Sequence, residues 1–131
     1  MLALDYGEKR VGVAISDPLG LTAQSLPYLD NDSNLVKKIK QTIADYVVGE
    51  ILLGLPKDLH GGIGKKAEEV QAFAGRLEKH IDINIKFIDE RNSSKAAEKH
   101  MLGLDMSRKK RKEKRDSLSA VFFLQGYLDS K

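Results

Sequence analysis

The stretch Leu2–Asp17, LALDYGEKRVGVAISD, decides how the rest of the chain is read. Two short apolar runs, Leu2–Leu4 and Val11–Ile15, flank the polar segment Asp5–Arg10. Val11, Val13 and Ile15 alternate as β-branched residues do in a strand, and a Gly among charges favours a turn. The expected unit is a β-hairpin whose first strand carries Asp5. A carboxylate within an apolar strand is costly unless it is charge-paired, hydrogen-bonded or bound to a cation. The reading adopted for Asp5 is a metal ligand; a hydrogen-bonded turn residue is the alternative.

Outward from the hairpin, Asp17-Pro18-Leu19-Gly20 reads as a turn, and Leu21–Leu29 as a third strand antiparallel to the second. Pro27 argues for a sheet edge. Asn31-Asp32-Ser33 supplies caps for a helix in which Leu35, Val36, Ile39, Ile43 and Val47 recur, closed by Gly49. Glu50–Pro56, EILLGLP, is the continuous apolar run of a strand covered on both faces. After the Gly-rich loop 57–64 a second helix presents Val70, Phe73, Ala74, Leu77 and Ile81. Asn84–Glu90 is the next strand, and Ser93 or Ser94 begins a helix through Met101. A basic loop and a last helix from about Asp116 to Leu128 complete the chain. The order β-β-β-α-β-α-β-α-α predicts one α/β domain over 1–131. Its five-stranded mixed sheet has an antiparallel three-strand meander, two parallel strands, and helices on both faces. The right-handed crossover rule sets the fourth and fifth strands beside the first, with Asp5 near the centre.

Composition is that of a globular protein, 41% hydrophobic and 31% charged, with no cysteine for disulfides or thiolate zinc sites. No apolar run approaches the ~20 residues of a membrane span, and no basic segment precedes the first apolar stretch, so a cytoplasmic protein is expected. The net charge of +3 is unevenly distributed. Residues 1–107 are net −2, whereas 108–131 carry eight Lys/Arg against three Asp/Glu. Most of that excess is the block Arg108–Arg115, RKKRKEKR, which favours a polyanion partner; a solvated loop is the alternative.

Asp5, Glu90 and Asp116 stand where strands or helices begin or end. Asp5 and the Asp89-Glu90 pair converge at the edge where parallel strands end, with one acid of the pair in the site and its neighbour on the opposite face. A cluster of carboxylates suits hard divalent cations, Mg²⁺ or Mn²⁺; two of them roughly 4 Å apart activate a water and stabilise the leaving 3′ oxygen of a phosphodiester. Lys9, Arg10, Arg91 and the residues Arg108, Lys109, Lys110 and Arg111 are candidates to hold phosphates. The alternatives are ordinary: Asp116 as a helix cap, Asp89 paired with Arg91, and the cations balancing nearby acids. The 61–64 glycines form a backbone contact for substrate or a plain turn. His60, His80 and His100 lack ligand spacing and are expected at the surface.

LALDYGEKRVGVAISDPLG closely resembles the opening motif of the YqgF (RuvX-like) family. ILLGLPKDLHGGIGKKAEEV looks like its Gly-Leu-Pro strand and loop, FIDERNSS its Asp-Glu-Arg motif, and RDSLSAVFFLQGYL its closing helix. The resemblance covers nearly the whole chain in order. It implies an RNase H-like fold in the bacterial cytoplasm and a metal-dependent nuclease. The implied role is 5′-end processing of precursor 16S rRNA, or resolution of Holliday junctions. It places the family's acids on Asp5, Glu90 and Asp116. The chain departs from the family pattern at Ser119-Ala120, where two alanines are usual, and at Arg115, where an apolar residue often precedes the final aspartate.

The expected activity is thus two-metal hydrolysis of phosphodiesters in structured nucleic acid, precursor rRNA or branched DNA, by a monomer or homodimer. The competing reading is a non-catalytic RNA-binding ribosome-assembly factor on the same fold. A phosphotransferase of the actin-like group needs two such domains and is disfavoured.

Overall fold

The computed structural model describes residues 1–55, 64–89 and 108–130, with side chains of the last segment described from residue 118 onward. Within these residues lie β1 (Leu2–Tyr6), β2 (Arg10–Ser16), β3 (Ala23–Asp30), α1 (Leu35–Tyr46), β4 (Glu50–Leu55), α2 (Lys65–Glu78), β5 (Asn84–Asp89) and α3 (Arg108–Asp129). The helix expected over 93–101 lies outside them. The sheet runs in the order β3-β2-β1-β4-β5. Its β1–β2 and β2–β3 pairs are antiparallel, and its β1–β4 and β4–β5 pairs are parallel. The central strand is therefore β1, as the crossover rule requires.

Alternation along β1 sorts the interior into two cores. Leu2, Leu4 and Tyr6 pack with Val11, Val13, Ile51 and Leu53 against residues of α1 and α2, among them Ile39, Val70 and Phe73. Ala3 faces the other way, with Ala14 and Leu52, onto Ala120, Phe123, Leu124 and Leu128 of α3. Truncating one of these side chains, Phe73 or Leu124, would cost about 2–5 kcal/mol. β4 is covered on both faces, which is why its sequence shows no alternation.

β3 forms one edge, and its Pro27 sits in an irregularity. The register steps from Val11–Leu29 to Val13–Leu26, so Pro27 and Tyr28 together oppose Gly12. Leu26 and Leu29, three apart, would face opposite ways in a regular strand; the extra residue lets both join the α1/α2 core.

Several boundaries differ from expectation: α2 ends at Glu78, before Ile81, and β3 spans Ala23–Asp30; two more bear on the core and the site. α1 ends at Tyr46, and the left-handed residue after it is Val47 (φ 52°), not Gly49. The Val47 and Val48 backbone N–H groups both donate to the Ile43 carbonyl. Turning at 47 delivers Val48, 7% exposed, into the core beside Ile43, while Val47 is 89% exposed. That apolar contact outweighs the unfavourable left-handed backbone. Secondly, α3 begins at Arg108, so the basic block is its first two turns and not a loop. Lys, Arg and Glu are good helix formers that carry no apolar periodicity to announce themselves.

Candidate active site

Asp5 sits one residue before the end of the central strand, at the edge where β1, β4 and β5 all terminate. It shares a face with Ala3, and so lies on the side covered by α3. Its partner on β2 is Gly12. On the other side, one step past the Leu4–Leu53 pair, stands Gly54 of β4. A half-buried carboxylate is thus bordered on both neighbouring strands by residues without side chains.

Asp89 is in register with Leu55, which packs on the α1/α2 core. It therefore stands on the face opposite Asp5. Ile88, next to it, turns to the α3 side. Glu90 and Arg91 lie outside the described residues. Asp116 lies in α3 one turn before Ser119 and Ala120, both fully buried. It is in the third turn of the helix and not at its start as expected, so the alternative reading of Asp116 as an N-terminal cap falls away. Arg108, Lys109, Lys110 and Arg111 form the first turn of α3. Among the described residues, no three His, Cys, Asp or Glu stand close enough to hold a metal ion.

α3 runs toward this edge. The Gln125 side chain accepts from the Ala23 backbone N–H (2.9 Å) and donates to the Leu21 carbonyl (3.0 Å), pinning the C-terminal part of the helix at the opposite end of the sheet. From Gln125 back to Asp116 the helix rises roughly 13 Å. From Met1, which is level with Ser16 and Ala23, to Asp5 the strand climbs a similar roughly 13 Å. Lys86 ties the same helix to β4 through Tyr127 Oη (3.2 Å) and Glu50 (3.6 Å). Its pKa is raised by the Tyr127 hydrogen bond, and next by the Glu50 charge.

The turn between β1 and β2 is built by backbone contacts. A Cβ on Gly7 would lie 2.5 Å from the Arg10 carbonyl oxygen, so only glycine closes the hairpin this way. Asn31 fastens it: its Nδ2 donates to the Gly7 carbonyl (2.7 Å) and its backbone N–H to the Lys9 carbonyl (2.9 Å). Asn31 was expected as a helix cap; nothing in local sequence shows that it closes a turn 24 residues earlier. Lys9 is exposed in that turn. Arg10 begins β2 with its guanidinium over the Tyr28 ring, 5.0 Å from the centroid. Tyr28 had no expected role. His80 is exposed, as expected, while His60, His100 and the Gly61-Gly62-Ile63 segment lie outside the described residues. Among the described residues no helix is long and apolar enough to cross a membrane.

A family model described as RuvX, Holliday junction resolvase, matches residues 1–130. A protein of Desulforamulus reducens is 45% identical over 132 residues, covering 99% of this chain and 96% of its own. One from Sulfurihydrogenibium sp. is 47% identical over 131 residues, covering 98% and 89%. One from Clostridium botulinum is 42% identical over 132 residues, covering 99% and 96%. All three are provisionally named pre-16S rRNA nucleases. Among solved structures, the Fowlpox virus resolvase, crystallised with its substrate Holliday junction DNA, superposes with a TM-score of 0.55. The match covers 99% of this chain and 98% of that one at 16% identity, a likeness of fold alone. The expected RNase H-like architecture is the one observed. With the family model spanning the chain and relatives above 40% identity along nearly all of it, this protein belongs to the RuvX family.

Proposed function

We propose that this chain is a divalent-metal-dependent endonuclease that hydrolyses phosphodiesters of structured nucleic acid, with the 5′ end of precursor 16S rRNA as its substrate. The observation that carries this reading is Asp5. It is a half-buried carboxylate on the central strand, bordered by Gly12 and Gly54, on the face that α3 covers. The names of relatives at 42–47% identity support the choice of RNA.

Asp5, Glu90 and Asp116 are the residues to hold Mg²⁺ or Mn²⁺. A hard oxygen donor on an otherwise apolar strand, with glycines beside it, fits such an ion. Glu90 is chosen over Asp89 because Asp89 faces away from Asp5. The bound cations supply charge to activate water and to stabilise the leaving oxygen. The chain's own cations position the substrate: Lys9, Arg10 and Arg91 near the acids, and Arg108, Lys109, Lys110 and Arg111 along the flanking backbone. A four-way DNA junction is the second substrate to test, because the family description names a junction resolvase; resolution there would require a dimer.

The test is purified protein with Mg²⁺ or Mn²⁺, offered a precursor 16S rRNA 5′ fragment and a four-way junction side by side. Wild type should cut one of them, and Asp5→Asn should lose at least 100-fold in rate while melting at the wild-type temperature. Equal rates for the two proteins would remove Asp5 from the chemistry.

A further inference from the structure

We propose that Tyr28 is a positioning residue that holds Arg10 toward the substrate phosphate, an inference that rests on the nuclease reading above. Arg10 is two residues from Gly12, the strand partner of Asp5. It therefore stands on Asp5's face of the sheet, at the diagonal position. A guanidinium on a flexible stem sweeps a wide arc unless its plane is held. The Tyr28 ring lies against it, with Cζ 5.0 Å from the centroid, and restricts that plane.

The ring reaches that place through the irregularity of β3. Leu26 and Leu29 both turn to the α1/α2 core, and the extra residue between them leaves Tyr28 on the opposite face, beside Arg10. Pro27 has no N–H, so its place in the irregularity sacrifices no ladder hydrogen bond there. Tyr28 itself is 39% exposed and belongs to neither core. An aromatic on an edge strand that contributes little to the interior, yet stacks on a cation beside the candidate acid, is placed for orientation of that cation.

The experiment compares Tyr28→Phe, Tyr28→Leu, Arg10→Ala and the Tyr28→Leu/Arg10→Ala double variant. Binding to the precursor 16S rRNA fragment and the four-way junction is measured in EDTA, and KM and kcat are measured with Mg²⁺. Phe keeps the ring face and should bind within about twofold of wild type. Leu keeps apolar bulk and loses the ring; KM should rise about three- to tenfold with kcat nearly unchanged. The double variant should bind no more weakly than Arg10→Ala alone, because the two residues act as one unit. The Arg10 side-chain protons should show a ring-current shift that persists in Phe and disappears in Leu. Pentafluorophenylalanine at position 28 keeps the shape and inverts the ring's charge distribution; it should behave as Leu does, which covers the case of a Leu variant that fails to fold. Wild-type KM in the Leu or pentafluoro variant, or losses that multiply in the double variant, overturn the proposal. A wild-type chain that neither binds nor cuts either probe overturns the nuclease reading and this inference with it.

Discussion

Val47 holds a backbone conformation that costs an L-residue about 1–2 kcal/mol, more readily borne by Gly or Asn than by a β-branched side chain. Its side chain is exposed, so replacing it removes little packing. Val47→Gly is therefore expected to stabilise the protein by about 1 kcal/mol, read as a higher denaturant midpoint with an unchanged slope. Asp17 behaves differently. Its Oδ1 accepts from the Leu21 N–H (2.6 Å) and the Thr22 N–H (2.9 Å). The Thr22 N–H is the leading cause that holds its pKa below the ordinary 3.8. A carboxyl depressed on folding stabilises above its unfolded pKa and loses that contribution as pH falls through the folded value. The melting-temperature gap between wild type and Asp17→Asn should thus be constant near neutrality, shrink below about pH 3.8 and close at lower pH. A gap that widened on acidification would contradict the assignment. The residue scale is also where sequence said least. Asp5 announced itself as a charge in an apolar strand, whereas Asn31 and Tyr28 matter only through neighbours 18 to 24 residues away that folding brings to them.

α3 combines two demands in one element. Its second half carries Ala120, Phe123, Leu124 and Leu128 onto the sheet, and that stripe was legible from spacing. Its first two turns carry seven basic residues with no acid in the first turn, and no periodic signal marks them as helix. Positive charge at a helix N-terminus opposes the macrodipole, so this half is less stable than its composition allows. Converting Arg108 and Lys109 to Glu should raise helix content or the melting temperature, by about 0.3–1 kcal/mol per residue at low salt. The same variant should bind nucleic acid more weakly. Stability and binding moving in opposite directions separates a ligand-facing basic turn from a merely solvated one, for which only the first effect is expected.

Across the whole molecule, the two faces of the sheet do different work. The α1/α2 face holds the larger core, and the α3 face is floored near Asp5 by Ala3, Gly12, Ala14 and Gly54. Strand order and the position of Asp5 on the central strand followed from element order alone, because the handedness of βαβ crossovers leaves few other arrangements. How α3 lies across that small-residue floor did not, since it depends on tertiary contacts such as Gln125 with Ala23. The charge is divided just as unevenly, with net −2 in residues 1–107 and net +5 in 108–131. A polyanion should therefore be attracted by α3 and handed to acids that repel it. Replacing Arg108, Lys109, Lys110 and Arg111 with Gln should flatten the plot of log K against log salt by about 3 to 4 on a DNA junction, at about 0.9 per lost phosphate contact. Asp5→Asn, measured without metal, should leave that slope unchanged and bind at least as tightly as wild type, because it removes a negative charge from the phosphate's path. If the four-residue variant keeps the wild-type slope, the cations that anchor substrate lie elsewhere. If Asp5→Asn weakens metal-free binding, Asp5 contacts substrate directly, and its role as a cation ligand must be abandoned.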